Sequence, residues 1–129
     1  MKFITILSLT ISALYLSNAF AEDRPLTEEE RRQALEICLE LKKLGGNMDC
    51  SEYEAPIPVE KVSFAIDNLL YQSTKFTEEK VSSNSCPMNG PQIEQLIEKT
   101  EELARVRKRD KVKAKLKGWK DKFKSKCGF

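Results

Sequence analysis

Four cysteines are the residues of this chain best suited to chemistry: Cys38, Cys50, Cys86 and Cys127. Gaps of 11, 35 and 40 residues separate them, whereas structural zinc sites usually draw on close Cys-x-x-Cys pairs. An even number of cysteines in a small exported protein is typical of disulfides. We therefore expect two disulfides, and their spacing leaves three pairings open.

The remaining side chains do not form a recognisable catalytic motif. The sequence contains no histidine, which excludes Ser-His and Cys-His nucleophile pairs and imidazole metal ligands. It has neither a glycine-rich phosphate loop nor an HExxH-type zinc motif. We therefore predict a protein without enzymatic activity, catalytic residues, metal or cofactor. A hydrolase that uses two carboxyl groups about 5–9 Å apart is the alternative, because carboxylates are numerous.

Residues 1–21 have the pattern of a secretory signal peptide. A basic start at Lys2 precedes an apolar run from Phe3 to Leu16, and Ala19 to Ala21 gives the small-x-small pattern of a cleavage site. The apolar run is short for a membrane span, so an uncleaved anchor is the lesser alternative. We expect a periplasmic or secreted protein with one mature helical domain over residues 22–129.

Charge is divided unevenly along the mature chain. Residues 22–104 hold 9 basic and 18 acidic side chains, whereas residues 105–129 hold 12 basic and 2 acidic ones. Such asymmetry bears on partners rather than on fold. The basic segment is suited to an acidic protein surface or an anionic membrane. It could equally lie against the acidic part of its own chain, or against that of a second copy in a homodimer.

Apolar periodicity predicts the helices that position these groups. Thr27 to Glu30 forms a capping box that starts the first helix, and Gly45-Gly46 ends it. A second helix follows Pro58 over about residues 59–72. Residues 73–91 are predicted to be polar and broken, with one helical turn at most.

The sequence does not determine whether two groups of apolar residues are buried or exposed. One is an aromatic pair on the second helix, and the other is a stripe near the C-terminus. Phe64 and Tyr71 lie off the core face of the second helix, seven residues apart, and are either covered by another helix or exposed for a partner.

The last core helix begins near Pro91, and its packed part should end near Val106. Beyond it comes a basic amphipathic helix whose apolar stripe includes Trp119.

The stripe of this C-terminal helix has two interpretations. It either folds into the core or forms an amphipathic surface for a partner or a membrane. If the surface interpretation holds, the contact residues are Trp119 and Phe123 with Lys115, Lys117, Lys120 and Lys122. A disulfide from Cys127 to another cysteine of the same chain would favour the core interpretation.

The fold class that follows is all-α. We predict a small three-to-four-helix bundle, fastened by two disulfides, with a long basic C-terminal helix. No run of alternating apolar and polar residues bounded by hairpin turns indicates a strand.

One stretch resembles a known family. A Cys-Leu pair at Cys38, a glycine step at Gly45, a second cysteine at Cys50 before polar residues and a Cys-Pro pair at Cys86 are similar to the TrbM/KikA family. The resemblance extends over residues 35–87. It implies a periplasmic accessory protein of mating-pair formation, in the type IV secretion apparatus that transfers DNA, with no known enzymatic role.

The expected function is therefore binding in the cell envelope, with a protein as the partner. The alternative is a secreted effector or toxin-like protein that binds anionic membranes through its basic amphipathic C-terminal helix. Nucleic acid is the weakest alternative, because export separates the chain from chromosomal DNA, although lysines can bind phosphates without sequence preference.

Overall fold

This computed structural model describes residues 24–83 and 86–128 of the chain. The regular structure of these residues is helical. The helices are α1 (Glu28–Lys43), α2 (Val59–Ser82), α3 (Gly90–Val106) and α4 (Asp110–Cys127), with a short 3-10 turn at Ser51–Tyr53. No strand occurs in these two ranges. The predicted all-α bundle is confirmed. The predicted signal peptide lies outside the described residues.

α1 begins and ends where the sequence predicts. The Thr27 hydroxyl accepts a hydrogen bond from the Glu30 amide, and the Glu30 carboxylate accepts one from the Thr27 amide, both at 3.0 Å. At the other end Gly45 has a φ of 105°, a value that side chains disfavour. A Cβ on Gly46 would lie 2.8 Å from the carbonyl oxygen of Leu41. Both glycines are therefore required by this turn.

α2 corrects one prediction, because it continues to Ser82 instead of ending near Gln72. The polar side chains that suggested a break are buried on its inner face. These are Ser73, Thr74 and Thr77. Thr74 donates a hydrogen bond to the carbonyl oxygen of Leu70, and the Ser73 hydroxyl pairs with that of Thr100 in α3, each at 2.7 Å. Hydroxyls that are hydrogen-bonded can be buried at little cost, so Ser73 and Thr74 can lie on the inner face of a continuous helix.

α3 and α4 form an antiparallel hairpin. α3 ends at Val106, as predicted, and Lys108 in the turn has a left-handed φ of 58°. Ion pairs between the two helices occur in reverse order along them, with Lys120 bound to Glu101 and Lys124 bound to Glu94, each at 3.0 Å. The basic helix is thus laid along an acidic face of α3.

Two clusters of buried side chains form the core. The larger one joins α1, α2 and α3, and includes Ile37, Ile66, Leu69 and Leu96. The smaller one joins the end of α2 to α3 and α4, and consists of Val81, Ile93, Ile97, Leu116 and Phe123. α4 therefore contributes its apolar stripe to the core.

Two disulfides fasten these elements. Cys38 in α1 bonds to Cys50, and Cys86 bonds to Cys127 at the end of α4. The prediction of two disulfides is confirmed, and the pairing that the sequence left open is now assigned. The second bond ties α4 to the segment between α2 and α3. Because disulfides persist in oxidising environments, the two bonds indicate a location outside the cytoplasm.

Candidate interaction surface

A buried ion cluster joins α1 to the turn between α3 and α4. Glu30 accepts two hydrogen bonds from the Arg24 guanidinium, each 2.8 Å long, and its Oε2 lies 3.6 Å from Nη1 of Arg107. Arg107 also donates to the backbone carbonyl of Arg24 at 2.9 Å. The side chains of Arg107 and Glu30 are 1% and 8% exposed. Glu30 and Arg107 therefore lie in the interior, whereas the side chain of Arg24 is 40% exposed.

The charges of this cluster fix the ionisation of Glu30. Burial opposes ionisation, but hydrogen bonds from Arg24 and from the Thr27 amide, together with the charges of Arg24 and Arg107, outweigh it and lower the pKa of Glu30 to about 2. A carboxyl group with this pKa has no proton to donate near neutral pH. We therefore assign Glu30 a structural role.

The described surface offers little that resembles a catalytic centre. Within residues 24–83 and 86–128, no group of three or more His, Cys, Asp or Glu side chains is placed to hold a metal ion. Each of the five main depressions of the same part has at most one carboxylate in its lining. Hydrolysis by a carboxyl pair requires two such groups in one cleft, which none of these five depressions provides.

The two aromatic residues predicted for contact on α4 differ in location. Phe123 is 1% exposed and packs in the smaller core cluster. Trp119 is half-buried, and the ammonium of Lys122 lies 5.3 Å from the centre of its ring. The structure thus favours the core interpretation for Phe123, and Trp119 offers only part of its surface to a partner.

The lysines of α4 form two rows on either side of the buried stripe. The row nearest α3 includes Lys120 and Lys124, which pair with the glutamates of α3. The other row consists of Lys111, Lys115 and Lys122, at helical spacing. Among the described residues, no carboxylate lies within 4.0 Å of these three ammonium groups. This row therefore carries positive charge that the described part of the chain leaves available.

Lys117 completes the set of residues predicted for contact. Its side chain is exposed, as are those of Lys115 and Lys122, whereas Lys120 is half-buried at its ion pair. The structure therefore brings the predicted lysines onto one helix but on two different sides of it.

Phe64 and Tyr71 project from the outer face of α2. They are 74% and 61% exposed, and residues seven apart share one side of a helix. No described helix covers them, so of the two sequence interpretations the structure favours an exposed pair. Single apolar residues are common on protein surfaces, but two large aromatic rings two turns apart on one helix make an apolar surface suited to a partner.

An apolar groove lies beside Tyr71, between α2 and α4. We define the α2–α4 groove by its lining: Asp67, Leu70, Tyr71, Thr74, Lys111, Val112 and Lys115. Its volume is about 320 Å³. Leu70 is 1% exposed and Val112 is half-buried, so these two side chains form a floor. Tyr71 and the two lysines stand around it.

Sequence reasoning missed this groove and its lysine Lys111. The apolar stripe of α4 was predicted from the sequence, and Val112, seven residues before Trp119, lies on the same side of the helix. Which helix packs beside Val112 depends on the long-range arrangement, however, and neither periodicity nor charge determines that arrangement. The one signal available was the placement of Lys111 and Lys115 at a spacing of four, on the side of α4 opposite to Lys113 and Lys117.

No protein-family model matches the chain, and neither a curated protein nor a solved structure matches it. Within the described residues, no helix is both long and apolar enough to cross a membrane.

Proposed function

We propose that the mature chain is an exported binding module that contacts a protein partner in the cell envelope and catalyses no reaction. Periplasmic or secreted location is part of this proposal. It is supported by the signal-peptide pattern of residues 1–21 and by the two disulfides. The observation that carries the binding role is the exposure of Phe64 and Tyr71 on one side of α2.

Aromatic side chains give a physical basis for this role. Each buries a large apolar area when a partner covers it, and few rotatable bonds have to be fixed. Tyrosine is also enriched among the residues that dominate binding energies. The inner face of α2 is packed in the core, so the helix that presents these side chains is already ordered, which lowers the entropy that binding would otherwise cost.

Site-specific photo-crosslinking in the producing cell tests the binding role. Benzoylphenylalanine replaces Phe64 or Tyr71, and the control position is Leu39, an apolar residue of α1 that is 49% exposed. We expect protein adducts from positions 64 and 71 and none from position 39. Equal adducts at all three positions, or none at 64 and 71, would contradict a binding role for this face. Mass spectrometry of the exported protein, expected to begin at Glu22, tests export.

The resemblance to the TrbM/KikA family suggests where the partner belongs. We propose a component of the mating-pair formation apparatus of a conjugative type IV secretion system. Deletion of the gene in a donor strain should lower the frequency of plasmid transfer, and the wild-type gene should restore it. Transfer at an unchanged frequency would exclude this assignment but not the binding role.

Binding to anionic membranes is a second candidate. The observation that favours it is the row of Lys111, Lys115 and Lys122 on α4, which has no described carboxylate within 4.0 Å. Since Leu116 and Phe123 are buried, the folded protein would adsorb through charge rather than by inserting an apolar helix face. Such adsorption requires anionic lipid and weakens with salt. Cosedimentation with phosphatidylglycerol vesicles, but not with phosphatidylcholine vesicles, would support this candidate.

A further inference from the structure

The α2–α4 groove combines positive charge with an apolar floor. Lys111 and Lys115 stand at its rim on the α4 side, and no described carboxylate lies within 4.0 Å of either ammonium. Asp67 is the one acidic residue of the lining, and its carboxylate accepts a hydrogen bond of 2.8 Å from Arg109. The charge that the groove offers an occupant is therefore positive.

The groove continues along α2 beyond its apolar part. A second depression of about 210 Å³ shares Tyr71, Thr74 and Lys115 with it and adds Lys75 and Glu78. The two depressions together follow the boundary between α2 and α4 from Asp67 to Glu78, about three turns of α2. An extended or helical segment fits such a boundary better than a compact small molecule does.

We propose that the α2–α4 groove binds an acidic segment of the partner protein. One large apolar side chain of that segment rests on Leu70 and Val112 beside the ring of Tyr71, and flanking carboxylates pair with Lys111 and Lys115. This inference rests on the proposed function and names the chemistry of the partner.

The shape of the groove favours a protein segment over a bilayer. Val112 is half-buried, whereas Lys111 and Lys115 beside it are exposed, so a flat lipid surface that touches the lysines does not reach it. A projecting side chain of a peptide does. Opposite charges around an apolar centre are also the usual arrangement of a specific interface, with the polar rim fixing register.

Crosslinking combined with charge reversal tests this inference. Benzoylphenylalanine at position 71 keeps an aromatic ring at the groove, and mass spectrometry identifies the peptide that it captures in producing cells. We compare the wild-type background with K111E/K115E and with K113E/K117E. The control pair lies on the other side of α4, is also exposed and changes the net charge by the same amount.

We expect a captured peptide with net negative charge and at least one large apolar residue. Its yield should fall about tenfold in K111E/K115E, since two charge contacts become repulsive, and stay within about twofold in K113E/K117E. The neutral pair K111Q/K115Q should give an intermediate loss. It keeps the test valid if charge reversal impairs folding.

Four results would overturn the inference. They are capture of a basic peptide, capture of a second copy of this chain, capture of lipid alone, and equal loss in both charge-reversed pairs. Adducts at position 64 with none at position 71 would reject the groove and leave the proposed binding role intact. Absence of adducts at both positions would reject both.

Discussion

At the scale of single residues, the cluster of Arg24, Glu30 and Arg107 is the most demanding feature of the chain. A buried guanidinium without its carboxylate partner is costly. Glu30 serves two purposes here, because it also completes the capping box with Thr27. A substitution that keeps the cap and removes only the charge can separate the two contributions.

Glu30→Gln is such a substitution, since glutamine also completes a capping box. We expect it to lower the free energy of unfolding by about 2–4 kcal/mol, because it removes a carboxylate charge that lies 3.6 Å from the buried guanidinium of Arg107. Glu29→Gln is the matched control in the same turn, and its exposed ion pair should contribute less than about 1 kcal/mol. Urea unfolding followed by the fluorescence of Trp119, the single tryptophan of the chain, measures both. Equal losses would show that the buried charge is unimportant.

The same carboxyl group predicts a pH dependence. Its pKa is about 2 in the folded protein, against an ordinary value of 4.5. A lowered pKa means that the ionised group stabilises the fold fully above about pH 5, and that this stability is lost as the pH falls toward 2. The difference in unfolding free energy between the wild type and E30Q should therefore shrink over that interval. A difference that stays constant from pH 5 to pH 2 would contradict the assignment.

Substitution by valine should affect the stability of the protein differently at two buried threonines. Thr100 pairs with Ser73 across α2 and α3, so Thr100→Val should cost about 1 kcal/mol of stability. The buried hydroxyl of Thr77 has no hydrogen-bond partner among the described residues, so Thr77→Val should be neutral or stabilise by up to about 1 kcal/mol. Valine keeps the branched shape of threonine in both cases. Thermal unfolding of the two variants compares them, and a reversed order would show that the hydroxyl pair is not stabilising.

At the scale of helices, α4 contains one residue that weakens it without a packing reason. A Cβ on Gly118 would meet no atom within 4 Å, and glycine inside a helix is less favourable than alanine by about 0.5–1 kcal/mol. Gly118→Ala should therefore raise the free energy of unfolding by about that amount. Gly45→Ala should lower it by about 1 kcal/mol or more, because φ is positive there. Urea unfolding curves of the two variants measure both changes. A loss of stability in G118A would mean that Gly118 has a role that its surroundings do not show.

The helix ends show how far local sequence determines this fold. The capping box at Thr27 and the turn at Gly45 are local chemistry, and both were predicted correctly. The continuation of α2 past Gln72 was missed, because the hydroxyls of Ser73 and Thr74 look like loop residues until their partners are known. Those partners lie one turn back in α2 and across the core in α3, which periodicity does not report.

The candidate surface was predictable only in part for a similar reason. Phe64 and Tyr71 could be identified as residues off the core face of α2. Whether a helix covers them depends on where α4 packs, and the sequence allowed α4 to be either a core element or a binding surface. The pairing of Cys86 with Cys127 resolves this, and it also places Phe123 inside.

At the scale of the whole molecule, the two disulfides should differ in accessibility. Cys38 and Cys50 are 0% and 4% exposed, whereas Cys86 is exposed and Cys127 is half-buried. Dithiothreitol added to the folded protein should therefore reduce the Cys86–Cys127 bond first, because a thiolate must reach the sulfur it attacks. Alkylation followed by peptide mapping identifies the thiols released. Earlier labelling of Cys38 and Cys50 would contradict this order.

The internal charge balance is also a property of the whole molecule. The excess of basic residues after position 104 is compensated on one side of α4 by the glutamates of α3. The net charge of +2 therefore understates the local field, since Lys111 and Lys115 stand beside the α2–α4 groove with no described carboxylate within 4.0 Å. Positive charge concentrated beside one groove should raise the rate at which an acidic partner associates, and salt should reduce that rate.

The disulfide pairing has a consequence for how the protein is made. The first cysteine bonds to the second and the third to the fourth. A chain that enters an oxidising compartment from its N-terminal end can join each newly arrived cysteine to the one before it and still reach the native pairing. Maturation by this route requires an oxidant but no isomerase that rearranges disulfides. Cys86 stays reduced until Cys127 has also entered the oxidising compartment.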